Sequence, residues 1–103
     1  CYVEVKNVTY RSGHRALFPD AVTTRGQKHL RELRRMVRQG HRAVAFFLVN
    51  RGDCKSMGPA REIDHVYADL LQQVADDGVE TIAYQTDPSP NRIELSRRLR
   101  IYR

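Results

Sequence analysis

The chain opens with the stretch Cys1-Tyr2-Val3-Glu4-Val5-Lys6-Asn7, in which apolar and charged residues alternate. A period of two predicts a half-buried β-strand, with Val3 and Val5 on one face and Glu4 and Lys6 on the other. Glu4 and Lys6 are two residues apart, so their side chains project side by side. Such a pair can hold a metal ion and orient a water molecule, or it can form an ordinary ion pair on a solvated strand face.

Beyond this strand, the pattern alternates between strand-like and helix-like segments. The unbroken apolar run Ala43-Val44-Ala45-Phe46-Phe47-Leu48-Val49 predicts a central strand buried on both faces. Apolar and polar residues alternate again near the end of the chain, which predicts an antiparallel edge strand containing Ile93, Leu95, Leu99 and Ile101. The other predicted elements are a continuation of the first strand to Tyr10, a turn at 11–14, a short strand at 16–18, a loop at 50–59, a strand at 79–86 and a turn at 87–90.

Two amphipathic helices separate these strands. Thr24 and Gln27 fit a capping box that begins the first helix, and Asp64 fits the cap of the second. A strand–helix–strand–helix–strand order predicts an α/β fold, in which helices cover a mixed sheet through right-handed crossovers. The predicted helices are 24–39, ended by Gly40, with Leu30, Leu33 and Val37 inward and Met36 at the edge, and 65–77, ended by Gly78, with Val66, Leu70, Leu71 and Val74 inward.

Charge is distributed unevenly along the chain. Residues 1–42 hold ten Lys or Arg against three Asp or Glu, residues 43–90 hold three against eight, and residues 91–103 hold five against one. The first helix is the most basic element, and its surface predicts attraction to a polyanion such as a nucleic acid. A solvated basic face, in a chain whose Arg content reflects only a GC-rich genome, is the alternative. The basic residues of this helix are Arg25, Lys28, Arg31, Arg34, Arg35 and Arg38.

The sequence also bears on cellular location. No apolar run approaches the length of a membrane span, and the first residues lack a signal-peptide pattern. Cys1 and Cys54 lie far apart without metal-type spacing, so we expect free thiols, a cytoplasmic location and no membrane association. Because the chain starts at Cys1 directly in a strand-like pattern, we expect it to be a fragment of a longer protein.

Five blocks of sequence stand out, at 2–9, 18–23, 25–30, 47–54 and the helix start at 63–64. Together they resemble the sugar fermentation stimulation protein A family. The resemblance covers nearly the whole chain. It implies a two-domain protein of bacteria or archaea, in which an OB-like domain precedes a C-terminal domain similar to PD-(D/E)xK nucleases. This chain, residues 1–103, would be that C-terminal domain, and the first strands of its core would lie upstream of Cys1. It also implies DNA binding and a regulatory role in the use of sugars, notably maltose.

The same resemblance implies the roles of individual residues. Glu4 would be a metal-binding carboxylate and Lys6 a catalytic lysine, with Mg²⁺ or Mn²⁺ as the cofactor. The second metal-binding Asp would lie upstream of Cys1; Asp20 could approach the site from its loop, although Pro19-Asp20 follows the Glu-x-Lys element in the reverse of the expected order. The residues expected to contact nucleic acid are Arg25, Gln27, Lys28 and Arg31.

Three functions therefore remain open from the sequence. The first is largely sequence-independent DNA binding through a basic face, in a regulator of sugar metabolism. The second is a nuclease that hydrolyses phosphodiester bonds with a divalent cation at Glu4 and with Lys6 assisting the attacking water. The third is an inactive relative, in which Glu4 and Lys6 form only a structural ion pair.

Overall fold

The computed structural model describes residues 1–87 and 94–103 and confirms the α/β fold. Strands precede, separate and follow two helices in the predicted order, with two additional short strands, one inside the predicted turn at 11–14 and one inside the predicted loop at 50–59. The elements are β1 (Tyr2–Val8), β2 (Arg11–Ser12), β3 (Arg15–Phe18), α1 (Thr24–Arg38), β4 (Ala43–Val49), β5 (Ser56–Pro59), α2 (His65–Asp76), β6 (Glu80–Asp87) and β7 (Glu94–Ile101).

The strands form one curled, mixed sheet in the order β1-β4-β6-β7-β5-β3-β2. Strands β1, β4 and β6 are parallel neighbours, and α1 and α2 are the crossovers that join them. Because right-handed crossovers that step in one direction put their helices on the same side of a sheet, α1 and α2 cover one face and pack against each other. The opposite face of β1, β4 and β6 carries no helix of the described residues.

The prediction of an edge strand at the end of the chain is wrong. Strand β7 pairs antiparallel with β6, and its last residues also pair in parallel with β5, as in the pair Met57 and Ile101. Strand β5 lies in the segment that was predicted to be a loop, and it joins β7 to β3. Residues 88–90 of the predicted turn, together with Ile93, lie outside the described residues.

A close approach between strands explains the composition of β5. A Cβ atom on Gly58 would lie 2.7 Å from the carbonyl oxygen of Tyr102 and as close to the guanidinium group of Arg15. Only glycine fits at this position without a shift of the neighbouring backbone. The need for glycine in β5 removed the side-chain signal by which a strand is recognised in a sequence.

The caps of the helices are partly as predicted. Asp64 is the N-cap of α2, and its carboxylate accepts from the backbone N–H of Tyr67. The cap of α1 is Thr23 rather than Thr24, and its hydroxyl accepts from the N–H of Gly26 at 2.9 Å. Gln27 therefore does not complete a capping box. Gly40 and Gly78 follow the helices with positive φ, as predicted for the residues that end them.

The core lies between the sheet and the two helices. Leu30 and Leu33 of α1 are buried there as predicted, as are Leu70, Leu71 and Val74 of α2. Val66 was predicted to point inward but is exposed, and the neighbouring Tyr67 is fully buried in its place. Both cysteines are free thiols, as expected, and Cys54 is buried.

The described part of the chain contains no helix with the length and apolar character needed to span a bilayer.

Candidate functional site

Strand β1 presents its charged face to the protein interior. Val3 and Val5 are 55% and 52% exposed, whereas the Lys6 side chain is only 15% exposed and that of Glu4 is 36% exposed. The expectation that the valine face would be the buried one is therefore wrong. The reason is that α1 covers the face of β1 that carries Glu4 and Lys6. The simple solvated strand face is excluded for this pair.

Glu4, Lys6 and His29 form a compact polar cluster between β1 and α1. Lys6 Nζ lies 3.3 Å from Glu4 Oε1, and His29 Nδ1 lies 3.1 Å from the same oxygen. Lys6 Nζ is also 2.6 Å from His29 Nδ1. Nδ1 can accept a hydrogen bond from Lys6, or it can carry a proton and donate a hydrogen bond to Glu4, but it cannot do both at once. The ammonium and the carboxylate thus share one imidazole nitrogen.

From the sequence, the position of His29 between Lys28 and Leu30 indicates a partly buried packing residue, so its place in this cluster was missed. The signal was available in the helical period, because position 29 is three residues after Gly26 and four before Leu33, both of which are buried. The His29 side chain is 17% exposed and therefore lies at the boundary between the core and the surface. A histidine at this boundary, opposite a charged strand face, is well placed to pair with it.

The Glu4 carboxylate borders a surface cleft of about 240 Å³. The cleft lies between the start of β1 and α1, and Glu32, Arg35 and His29 also line it. Glu4 is consequently reachable by a small charged ligand from solvent, while Lys6 approaches it from the more buried side. We call this cleft the Glu4 cleft.

Tyr67 of α2 belongs to the hydrophobic core. Its ring packs edge-on against Phe18, with 5.3 Å between the ring centroids. It is fully buried, and its hydroxyl has no hydrogen-bond partner among the described residues. Burial, with smaller contributions from the negative charges of Asp64 and Glu4, raises the pKa of Tyr67 far above its ordinary value. The hydroxyl therefore keeps its proton and can act as a donor.

A second polar group joins the N-terminal ends of the two helices. The buried Asp64 carboxylate accepts from the backbone N–H of Thr23 and of Tyr67, both at 2.9 Å, and from the amide of Gln27 at 3.1 Å. Burial opposes ionisation of Asp64, but these hydrogen bonds outweigh it and hold its pKa below the ordinary value. The Gln27 amide is thus hydrogen-bonded inside the protein. Gln27 is therefore not part of the exposed basic surface of α1.

The basic surface of α1 is largely free of acidic partners. Arg25, Lys28, Arg31 and Arg35 are exposed, and none of them forms an ion pair within the described residues. Arg25, Lys28 and Arg35 are spaced by three and seven residues, so they lie along one stripe of the helix. Arg34 and Arg38 differ, because both lie near the Asp77 carboxylate, at 3.9 and 3.3 Å.

Asp20 is the residue of this chain that the sequence offered as a second carboxylate near Glu4. Asp20 lies in the loop before α1 and borders a small cleft with Asn7 and Tyr10. No hydrogen bond or ion pair connects it to Glu4 in the described part of the chain. Within those residues, no group of three His, Cys, Asp or Glu side chains is arranged to hold a metal ion.

The donor set of the Glu4 cleft nevertheless fits a hard divalent cation that is held partly by other ligands. Mg²⁺ is commonly bound by one or two carboxylates together with waters and substrate phosphates. Glu4 supplies one carboxylate at the border of the cleft, and Glu32 lines the same cleft. The residues present could therefore form one side of such a site, with Lys6 as the neighbouring positive charge.

Comparison with known proteins places these features in a family. A sequence model described as "Sugar fermentation stimulation protein RE domain" matches residues 1–92. Proteins called sugar fermentation stimulation protein homolog are similar over 99 residues, or 96% of this chain and 43% of the relative: the one from Pelobacter propionicus is 60% identical and the one from Geotalea daltonii 61%. The chain thus spans less than half the length of these relatives.

A solved structure agrees with this assignment. It is described as Pyrococcus furiosus SfsA in complex with Ca²⁺, and it superposes with a TM-score of 0.91 at 30% sequence identity. The match covers 97% of this chain and 44% of that one. The sequence, the fold and the match to both kinds of relative lead to one conclusion: the chain belongs to the sugar fermentation stimulation protein family, SfsA.

Proposed function

We propose that this chain binds DNA through the exposed basic surface of α1, defined by Arg25, Lys28, Arg31 and Arg35. The observation that carries the proposal is that these four cations have no acidic partner in the described part of the chain, so they remain available to phosphates. Arg34 and Arg38 are partly neutralised by Asp77 and contribute less. Contacts of this kind recognise the phosphate backbone, so binding is largely independent of base sequence.

Such a module would act in the cytoplasm as part of a regulator of sugar metabolism, of which maltose is the expected example. The family description connects these proteins with sugar fermentation. We further propose that the sheet and the two helices correspond to a PD-(D/E)xK nuclease core. The inward Glu4–Lys6 pair on β1 supports this assignment.

Variants of the basic surface test the proposal. Lys28→Ala and Arg31→Ala should each weaken binding of a labelled DNA duplex, because each removes one phosphate contact. The matched control is Arg61→Ala, which also removes one exposed positive charge, but one that is paired with Asp69 beyond α1. Equal loss of affinity in all three variants would show that only net charge matters and would contradict an interface on α1.

A second function, metal-dependent phosphodiester hydrolysis, is favoured by the geometry of the Glu4 cleft. The Lys6 ammonium lies 3.3 Å from Glu4 Oε1, so a positive charge stands beside the carboxylate that would hold the cation. A divalent cation, when bound, polarises a phosphate and makes a bound water more acidic. Glu4 would hold it, and Lys6 would neutralise charge on the phosphate. The solved relative is described in complex with Ca²⁺, which supports a divalent cation as the ligand.

Cleavage assays separate the two functions. With Mg²⁺ or Mn²⁺, the full-length protein that carries this sequence should cleave DNA if the second function holds, and Glu4→Gln and Lys6→Met should each abolish cleavage while DNA binding remains. If cleavage survives both changes, Glu4 and Lys6 are not its catalytic residues. If only binding is found and both variants bind normally, Glu4 and Lys6 form a structural ion pair.

A further inference from the structure

The face of the sheet that points away from the core carries a group of arginines. Alternation along β7 places Leu99 in the core and its neighbours Arg98 and Arg100 on this outer face. The register continues the face across β5 to β3, because Arg100 pairs with Ser56 and Ser56 pairs with Arg15. All three arginines are exposed. We call Arg15, Arg98 and Arg100 the sheet arginines.

Interactions within the protein do not account for the charge of the sheet arginines. Within the part of the chain that the structure describes, none of them forms an ion pair, whereas Arg42, Arg51 and Arg61 are each paired with a carboxylate. Like charges gathered on one face of a sheet are unfavourable to the fold. The group therefore points to an anion from outside the protein. The basic surface of α1 does not include this charge.

The end of the chain holds two of the sheet arginines in place. The guanidinium carbons of Arg15 and Arg100 lie 5.5 and 5.0 Å from the centre of the Tyr102 ring. Arg15 Nη2 also donates to the Tyr102 carbonyl oxygen at 3.0 Å. Gly58 leaves room for this arrangement, because a Cβ atom there would lie 2.7 Å from Arg15 Nε. Side chains that are already ordered lose less entropy when they bind a ligand.

The spacing of the sheet arginines favours a polyanion over a single anion. Arg15 and Arg100 lie on strands that are two apart in the sheet, so their Cα atoms are about 10 Å apart. Arg98 lies about 7 Å from Arg100 along β7. Guanidinium groups bind phosphates through paired hydrogen bonds. Three of them distributed over such a distance match a nucleic-acid backbone, whose charges are also distributed.

The basic surface of α1 lies on the other side of the molecule. Helix α1 packs over β1 and β4 on the core side of the sheet, and the molecule is 20 Å across even along its shortest axis. A straight duplex that contacts α1 therefore does not reach the sheet arginines.

We propose that the sheet arginines form a second DNA-binding surface, which holds the backbone of one duplex while α1 holds another. This inference rests on the DNA binding proposed above, but it concerns different residues on a different face. The basic surface of α1 has four cations without an ion pair and the sheet surface has three, so α1 binds the first duplex and the sheet arginines bind the second more weakly. The protein thereby bridges two duplexes.

Capture of a second duplex tests the proposal in the full-length protein that carries this sequence. One duplex is fixed to beads, the protein is bound to it, and retention of a fluorescent duplex is measured at several salt concentrations. Three phosphate contacts predict a slope of about −2.7 for log K against log salt concentration, and replacing Arg15 and Arg100 with alanine should bring it to about −0.9, while the protein stays on the beads. Arg42→Ala is the matched control, because Glu80 already neutralises this exposed arginine, and it should leave retention unaltered.

Variants of Tyr102 test how the two guanidinium groups are held. Tyr102→Leu removes the ring and should weaken retention of the second duplex, whereas Tyr102→Phe keeps a ring and should retain it normally. Both variants should keep the melting temperature of the unchanged protein, since Tyr102 is 45% exposed. Normal retention by Tyr102→Leu would refute the role of the ring.

The outcomes separate this proposal from the one on α1. If the protein binds the bead duplex but retains no second duplex, or if retention survives the loss of Arg15 and Arg100, the second surface is refuted and DNA binding at α1 stands. If inorganic phosphate, at the phosphate concentration of the DNA, displaces the second duplex, the site holds a single phosphate and the proposal is overturned. If the protein does not bind the bead duplex, DNA binding itself is refuted, and the second surface with it.

Discussion

The Asp64 carboxylate joins the starts of both helices, so Asp64→Ala should strongly destabilise the protein. Asp64 is 3% exposed, and three donors converge on it: the N–H groups of Thr23 and Tyr67 and the amide of Gln27. A buried donor left without its acceptor costs about 1–3 kcal/mol. Allowing for partial rehydration, we expect a loss of about 3–5 kcal/mol in the free energy of unfolding, which is large for one substitution.

Equilibrium unfolding in urea, followed by circular dichroism, measures this loss. For a domain of this size the same change should lower the melting temperature by roughly 12 °C or more. Asp77→Ala is the matched control, because Asp77 is an exposed residue at the end of α2 whose contacts to Arg34 and Arg38 are surface ion pairs. It should cost about 0–1 kcal/mol. If Asp64→Ala costs no more than Asp77→Ala, the account of how the helices are joined is wrong.

The pH dependence of stability gives an independent check on Asp64. Its hydrogen bonds hold its pKa in the folded state below the ordinary value, so the unfolded state binds a proton more readily than the folded state. The stabilisation is therefore complete above the unfolded pKa of about 3.9 and is lost as the pH falls through the lower, folded pKa. We expect the stability difference between the unchanged protein and Asp64→Asn to be constant near neutral pH and to shrink below about pH 4.

Two further substitutions test the packing around the candidate site. Gly26→Ala should destabilise the protein by about 1–3 kcal/mol in urea unfolding. The reason is that its Cβ would lie 2.8 Å from a Thr23 methyl group and 3.2 Å from the Tyr67 ring. A stabilising effect, as expected for alanine in an open helix, would argue against this close contact. Val5→Thr should change the free energy of unfolding by less than about 0.5 kcal/mol, because Val5 is 52% exposed, and a loss of 2 kcal/mol or more, on the order expected for a core site, would indicate that the valine face of β1 is buried.

The sequence was sufficient for the order of the helices and of the longer strands, because hydrophobic period is a local property, but it missed the short strands β2 and β5. The stripes of α1 and α2 and the apolar run of β4 led to the correct fold class. Local properties do not show which face of a strand is covered. The alternation in β1 showed that Val3 and Val5 share one face and that Glu4 and Lys6 share the other. Which of the two faces α1 covers depends on the direction of the crossovers, and α1 covers the face with Glu4 and Lys6.

The candidate site was predicted in part for the same reason. Glu4 and Lys6 were singled out by their spacing and by the family resemblance. His29 lies on α1, and only tertiary packing brings it to Lys6 and Glu4 of β1. Tyr67 was overlooked because Val66, the more apolar neighbour, seemed the natural inward residue, although the position one residue later faces the core.

The central claim is that the basic surface of α1 binds DNA through its phosphates, and the salt dependence of binding tests it most directly. The slope of log K against log salt concentration counts these contacts, at about −0.9 for each phosphate neutralised on duplex DNA. Four contacts, from Arg25, Lys28, Arg31 and Arg35, predict a slope of about −3.6, and replacing Lys28 and Arg31 with alanine should bring it to about −1.8. A slope near zero for the unchanged protein, or one that the double substitution leaves unaltered, would contradict the claim.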